Sequence, residues 1–196
     1  MELSNKLLFI SIPKTGTNSV HTIMGNTHFN HLKAKTIRHL IGKKHYQSKT
    51  SFCFIRNPVE LVKSWYYYHK YSPNVIRKDV KQFYPETIDE WVFNMKCKTH
   101  WEQPKHKQYN PHWNIKDSPL FQKGWIMDDN QQIIVDKILL FDNFNQEIET
   151  LFGVQPTKMN PSNKNKFQLN SATKTKIAEL FCVDVELYNQ LMKKVY

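Results

Sequence analysis

The amino-acid sequence predicts an α/β fold: a single domain over residues 1–196 with a mainly parallel central sheet flanked by helices. Three observations support this prediction. Short apolar runs of strand character at 6–12, 51–55 and 132–141 alternate with segments of helical spacing. Strand-to-helix transitions carry clear start and stop signals. The chain of 196 residues, 40% of them hydrophobic, is also long enough to bury an ordinary core.

Two short helices are predicted after the first strand, which ends at Pro13. Residues 17–24 (TNSVHTIM) predict a helix that ends near Gly25. Residues 33–42 predict a second helix, because isoleucine and leucine recur there at helical spacing, and Gly42 is its stop signal.

The second strand, 51–55 (SFCFI), leads directly into a helix over 58–71. Asn57 is a good N-cap residue, because its side-chain oxygen accepts a hydrogen bond from an unpaired backbone N–H. Pro58 suits the first helical position, and Glu60 stands at the spacing of a capping box.

The rest of the chain contains one irregular stretch between further predicted elements. Thr87 and Glu90 form a capping box before a short helix. Residues 97–125 have no clear period and are rich in His, Trp, Lys, Gln and Pro, so we expect a substrate loop there. After the strand at 132–141 come helices at about 145–152, 172–182 and 185–194, with Gly153, Ser171 and Asp184 near their boundaries.

The composition of the chain limits which classes of binding partner and which cellular compartment we expect. The formal net charge of +11 favours an anionic partner: nucleic acid, a membrane surface, a polyanionic glycan or a multiply phosphorylated cofactor. No apolar run is long enough to span a bilayer. The three cysteines, Cys53, Cys97 and Cys182, are odd in number and widely spaced, which argues against a disulfide framework. We therefore expect a soluble, cytoplasmic protein.

The loop after the first strand has the composition of an anion site. The helix that follows it offers unpaired N–H groups and a partial positive charge. Gly16 allows the backbone to approach a ligand closely, and Lys14 adds a full positive charge. The motif is completed by Pro13 and by the polar residues Thr15, Thr17, Asn18 and Ser19.

The order of these residues differs from that of a nucleotide-triphosphatase loop. That loop reads G-x-x-x-x-G-K-S/T, with its lysine after the glycines. Here Lys14 precedes the single Gly16, and no glycine stands upstream at the required spacing. The pattern therefore counts against an ordinary ATPase or kinase.

A second motif, SFCFIRNP, continues into VELVKSWYYYH. Arg56 follows the strand and Ser64 lies about two helical turns later. A guanidinium and a hydroxyl in these positions are suited to hold one phosphate together. Arg56 alone is equally consistent with a structural ion pair.

Together, IPKTGTNSV and FCFIRNPVELVKSWYYYH resemble the two nucleotide-binding motifs of the sulfotransferase superfamily. The closest resemblance is to carbohydrate sulfotransferases, including the heparan sulfate O-sulfotransferases. It extends loosely over most of the chain, through TIDEWV, KILLFDNF and MNPSNKNKF, and is specific at 10–20 and 52–69. Asn18 and Leu61 depart from the usual family residues. The family's membrane anchor and stem are missing, which suggests a bacterial or viral cytosolic form.

The resemblance implies a P-loop-like phosphosulfate-binding loop and 3′-phosphoadenosine-5′-phosphosulfate as donor. Lys14 would neutralise charge on the leaving phosphate, while the loop through Ser19 holds the 5′-phosphosulfate. Arg56 and Ser64 would hold the 3′-phosphate. Lys164 and Lys166 are candidates for a late loop that closes over the cofactor, although a solvated basic loop fits them equally. The implied acceptor is a hydroxyl, by resemblance that of a carbohydrate, with no nucleic-acid partner and no metal.

The general base is the least determined part of this hypothesis. The candidates are His21, His28, His31 and His39, with an acidic residue or no base as alternatives. His31 is preferred, because related carbohydrate enzymes often place a histidine there. The stretch from Cys97 to His112 contains zinc-ligand residue types, but its spacing matches no standard finger.

Other classes of protein remain open at this stage. A nucleotide kinase or phosphatase would need Mg²⁺ and an acidic ligand, for which Asp136 and Asp142 are the candidates. A basic nucleic-acid-binding protein would account for the charge, but no nucleic-acid-binding motif is present. A pseudoenzyme that binds nucleotide without transfer is the third. A peptide tyrosine, a lipid or a small metabolite is an alternative acceptor.

Overall fold

The structure, a computed structural model, describes residues 6–25, 29–71, 84–95, 118–156 and 168–195. Within these ranges the protein has an α/β fold built on a three-stranded parallel sheet, which confirms the predicted class. The strands are β1 (Leu7–Phe9), β2 (Thr50–Ile55) and β3 (Lys137–Leu140), in the spatial order β1-β2-β3. Phe9 is paired with Phe52, and Ile55 with Leu140.

The helices begin and end close to their sequence signals. The helix predicted at 58–71 is observed with those bounds, and Asn57 Oδ1 accepts a 3.0 Å hydrogen bond from the N–H of Val59. Thr87 Oγ1 likewise accepts from the N–H of Glu90 at 3.2 Å. The described helices are α1 (Thr17–Met24), α2 (Ala34–Ile41), α3 (Lys43–Gln47), α4 (Pro58–Tyr71), α5 (Ile88–Phe93), α6 (Lys123–Ile126), α7 (Phe144–Phe152), α8 (Ser171–Leu180) and α9 (Cys182–Val195), with a 3₁₀ turn at Phe141–Asn143.

Strand β2 is buried on both faces, which explains its continuous apolar sequence. Phe52 and Phe54 point to one face, where they join a cluster with residues of α1 and α7. Cys53 and Ile55 point to the other face and join a larger cluster with residues of α2 and α9. Alternation along the strand thus places helices on both sides of the sheet.

A third cluster, rich in aromatic residues, joins α4, α5 and α8. Trp65 of α4 is almost fully buried there and donates its indole N–H to the hydroxyl of Tyr84 at 3.0 Å. Packing of this kind fixes α4 against the rest of the molecule and so determines which of its faces is turned to the sheet edge.

Several boundaries differ from the predictions. Strand β1 ends at Phe9. Ile10 still donates its N–H to the carbonyl oxygen of Phe52 at 2.8 Å, but Ile12 then donates to the carbonyl oxygen of Ile10 and the chain turns, although both isoleucines stay buried. The run at 132–141 forms a strand only over Lys137–Leu140. The sequence did not predict α3, and Asp184 lies inside the first turn of α9.

The predicted substrate loop at 97–125 falls mainly outside the described residues. Its described end, from residue 118, contains the beginning of α6, so this part is not irregular throughout. In the ranges that the structure describes, no helix is both long and apolar enough to cross a membrane.

Candidate functional site

The two sequence motifs meet at one edge of the sheet. The loop with Lys14 and Gly16 follows β1, and Arg56 follows β2 directly. Because β1 and β2 are parallel neighbours, their carboxyl ends lie side by side. The Nη1 of Arg56 donates a hydrogen bond of 3.1 Å to the carbonyl oxygen of Lys14. Residues 42 positions apart are therefore in direct contact.

Two hydrogen bonds inside the loop hold its backbone. The hydroxyls of Thr15 and Thr17 both donate to the carbonyl oxygen of Ile12, at 2.8 and 2.9 Å. Lys14 has φ +67°, a left-handed conformation that a lysine rarely adopts. The threonine hydroxyl hydrogens thus fix the turn and are not the groups that donate to a ligand.

Gly16 is required by close packing as well as by its backbone conformation. It has φ +82°, and a Cβ built on it would lie 2.5 Å from Cε2 of Phe144 and 3.0 Å from Cε2 of Phe141. Both phenylalanines follow β3, so all three strands contribute to this edge. The sequence offered no sign of this contact, because the rings come from a segment far along the chain.

The amino terminus of α1 has the features of an anion-binding helix end. Gly16 is its N-cap, no described side chain caps it, and its first turn has no acidic residue. Its N–H groups and dipole therefore favour negative charge. In this turn Thr17 and Ser19 are buried and Asn18 is exposed.

Arg56, the first cation of this edge, is largely buried. Only 8% of its surface is exposed, and its guanidinium carbon lies 4.9 Å from the centroid of the Phe141 ring. Burial lowers the pKa of Arg56, while the charges of Glu60 and Asp142 act to raise it. A guanidinium stays protonated under such conditions.

Lys14, which is half-buried, is the second cation of this edge. Its Nζ lies 3.9 Å from the centroid of the Tyr68 ring. Burial, and then the charge of Arg56, lower the pKa of Lys14 to about 8. Neither Lys14 nor Arg56 forms an ion pair with any acidic residue that the structure describes. Two neighbouring cations with no ion-pair partner among the described residues favour an anionic ligand.

Ser64 lies on the side of α4 that faces this edge. It is half-buried and precedes Tyr68 by four residues, so the two share a helix face. Tyr68 contacts Lys14, which orients this face toward the loop. Arg56 therefore follows β2, and Ser64 lies on the face of the next helix that carries Tyr68.

His31 lies beside the same loop. Its Nδ1 is 3.0 Å from the carbonyl oxygen of Ser11. A carbonyl oxygen only accepts, so Nδ1 carries the proton and Nε2 is left as an acceptor. Burial lowers the pKa of His31, the hydrogen bond to Ser11 raises it, and the charge of Lys14 lowers it further.

The other predicted site residues have different positions. His21, in α1, is half-buried, and burial together with the charge of His31 lowers its pKa. His39 is exposed in the last turn of α2. His28, Lys164 and Lys166 lie outside the described residues.

The acidic residues do not gather into a metal centre. Among the described residues, no group of three or more His, Cys, Asp or Glu side chains is placed to hold a metal ion. Asp136 precedes β3 and accepts hydrogen bonds from the N–H and hydroxyl of Ser51. These residues lie at the opposite end of the strands from Lys14, so Asp136 does not belong to this site.

No family model, no curated protein and no solved structure matches this chain. The chemistry of the site is therefore inferred from the geometry of the described residues. In this part of the chain, Arg56 and Lys14 form no ion pair with an acidic residue, the amino terminus of α1 has no side-chain cap, and His31 has Nε2 as its acceptor nitrogen.

Proposed function

We propose that this protein is a sulfotransferase that moves a sulfuryl group from 3′-phosphoadenosine-5′-phosphosulfate to an acceptor hydroxyl. The observation that carries the proposal is the direct contact of Arg56 with the Lys14 loop, with neither cation ion-paired to a described acidic residue. The resemblance of both motifs to those of sulfotransferases is the second support, and it favours a carbohydrate hydroxyl. A P-loop-like phosphosulfate-binding loop and a cytoplasmic location belong to this proposal.

The donor set fits a nucleotide that carries two separate phosphate groups. One set of donors consists of Lys14 and the N–H groups at the start of α1. The other consists of Arg56 and Ser64, from the end of β2 and the helix after it. An ordinary nucleoside diphosphate has no 3′-phosphate and would leave Arg56 without its anion. Lys164 and Lys166 remain candidates to cover the bound nucleotide.

The residues of the chain supply positioning and charge. The donor supplies an activated sulfuryl group on its 5′-phosphate. Lys14 neutralises the negative charge that grows on the leaving phosphate during in-line displacement. The first N–H groups of α1 bind the phosphosulfate oxygens, and Arg56 with Ser64 orients the nucleotide through its 3′-phosphate.

His31 is the proposed general base. Its Nε2 is the ring nitrogen that can accept the proton of the attacking hydroxyl, because Nδ1–H is bonded to Ser11. The lowered pKa of His31 keeps the ring neutral at neutral pH, as a base requires. The left-handed backbone of His31, φ +56°, and a further bond from its N–H to Ser11 Oγ at 2.8 Å fix the ring's position.

The first experiment measures nucleotide binding by calorimetry in the absence of metal. We expect 3′-phosphoadenosine-5′-phosphate to bind more tightly than ADP. Arg56→Ala should weaken the bisphosphate by about 10–150-fold, the equivalent of a lost charged hydrogen bond, and leave ADP nearly unchanged. Arg38→Ala is the matched control, because Arg38 of α2 forms an ion pair with Asp128 and is not one of the site residues.

Two results would contradict the proposal. Equal binding of ADP, or binding that depends on Mg²⁺, would favour a nucleotide kinase. Strongly salt-dependent DNA binding without preference for the bisphosphate would favour a nucleic-acid-binding protein.

The pH dependence of kcat/KM tests the roles of His31 and Lys14 together. The value should rise with pH through the pKa of His31, below 6.5, because the base must be neutral. It should fall as pH rises through about 8, because Lys14 then loses its charge. His31→Asn should remove the acidic limb and keep the alkaline one. A profile that falls between about pH 6 and about pH 7 would refute His31 as the base.

A further inference from the structure

Gln122 is bonded to Arg56 in a way that the sequence did not suggest. Its side chain is fully buried, and the N–H of Arg56 donates to Gln122 Oε1 at 2.8 Å. In return, Gln122 Nε2 donates to the carbonyl oxygen of Arg56 at 2.8 Å. The last β2–β3 pair is Ile55 with Leu140, so Arg56 is just beyond the described ladder. The amide of Gln122 thus satisfies both backbone groups of Arg56.

Asp184 in turn holds the backbone of Gln122 in place. Its Oδ2 accepts the N–H of Gln122 and its Oδ1 the N–H of Lys123, both at 2.8 Å. The carboxylate is fully buried, and burial raises the pKa of Asp184 to about 7. Burying a carboxylate in this way is costly, and the two backbone donors satisfy it only while Gln122 and Lys123 keep this geometry.

We propose that Gln122 and Asp184 are positioning residues that aim the Arg56 guanidinium at the 3′-phosphate of the nucleotide. This inference rests on the proposed function, since it concerns the same phosphate. The backbone of Arg56 is held by Gln122, its Nη1 by the carbonyl of Lys14, and its guanidinium plane by the ring of Phe141. A side chain restrained at both ends loses little freedom when it binds an anion, so its remaining N–H donors are preorganised.

A second network on the same strand provides a control. At the amino end of β2, Ser51 and Asp136 exchange hydrogen bonds: Ser51 N–H to Asp136 Oδ2 at 2.8 Å, and Asp136 N–H to Ser51 Oγ at 3.0 Å. This network also joins a carboxylate to backbone groups, but these hydrogen bonds reach none of the site residues that the structure describes. A role of Gln122 that concerned only the stability of β2 would therefore be shared by Ser51.

The test compares the affinity of each variant for 3′-phosphoadenosine-5′-phosphate and for adenosine 5′-phosphate. The ratio of the two affinities measures the contribution of the 3′-phosphate to binding. A loss of folded protein lowers both apparent affinities by the same factor and leaves the ratio unchanged. Gln122→Met should lower the ratio by about 10-fold, with the affinity for adenosine 5′-phosphate nearly unchanged. Asp184→Asn should lower it less, because an asparagine oxygen still accepts one of the two N–H bonds. Ser51→Ala should leave the ratio as in the wild type.

The outcomes separate this inference from the proposed function. A wild-type ratio near one would refute the proposed function and remove the inference with it. A clear wild-type preference that Gln122→Met retains would overturn the inference alone, and so would an equal loss in Ser51→Ala. If Gln122→Met does not fold, Asp184→Asn decides by the same ratio, and an unchanged value overturns the inference.

Discussion

Lys14→Met is expected to lower the rate constant of sulfuryl transfer by about 10²–10³-fold, the typical effect of removing one group that stabilises transition-state charge. Lys14 is largely buried next to Arg56, where water screens its charge poorly. Methionine keeps an unbranched stem and its contact with the Tyr68 ring while removing the charge. The measurement is the release of 3′-phosphoadenosine-5′-phosphate from the donor in the presence of a panel of carbohydrate acceptors.

The same substitution should raise the melting temperature. The pKa of Lys14 is lowered to about 8 in the folded protein, against 10.5 for an unperturbed lysine. The unfolded chain therefore binds this proton more tightly than the folded protein does. The charged form destabilises the fold fully below about pH 8, and so at pH 7, and this cost is lost as the pH rises toward 10.5. An inactive protein that is also more stable would indicate that Lys14 is kept for function.

Lys35→Met is the control for Lys14→Met. Lys35 is paired with Asp129 at the surface of α2 and should change neither activity nor melting temperature appreciably. The role of Lys14 would be refuted if Lys14→Met kept more than about a tenth of the wild-type rate constant, because a lost transition-state charge costs more than that.

Gly16→Ala is expected to lower the free energy of unfolding by about 2–5 kcal/mol. A left-handed conformation costs a residue with a side chain about 1–2 kcal/mol, and displacing well-packed neighbours adds about 1–3 kcal/mol. Here the neighbour is Phe144, whose Cε2 would lie 2.5 Å from the new Cβ. Urea unfolding, followed by fluorescence, measures the change.

Gly25→Ala separates the cost of the left-handed backbone from the cost of the contact with Phe144. Gly25 has φ +61°, but among the described residues no heavy atom beyond its own chain neighbours lies within 4 Å of a Cβ built on it, so this variant should show the backbone cost alone. Adding Phe144→Leu to Gly16→Ala should recover part of the loss, because the two positions are in contact. An equal effect of Ala at Gly16 and Gly25 would show that the contact with Phe144 is unimportant.

The bounds of the helices could be predicted from sequence because the capping and stop residues lie within a few positions of each helix end. Asn57 and Pro58 mark the start of α4, and Gly25 and Gly42 mark the ends of α1 and α2. Strand limits were less accurate. The run 132–141 is mainly apolar on both sides of Asp136 and Lys137, but only Lys137–Leu140 pair with β2, and the length of this pairing was not encoded in the run.

The sequence alone determined the fold class and the two segments that form the candidate site, because strand, loop and helix signals are local. The tertiary structure decided the contacts of Arg56 with Lys14 and Gln122, of Gln122 with Asp184, and of Gly16 with Phe144. Apart from the proximity of the two motifs, these contacts could not be predicted from the sequence. They join residues tens of positions apart, and such partners depend on the order and register of parallel strands. No pattern within either segment carries that information.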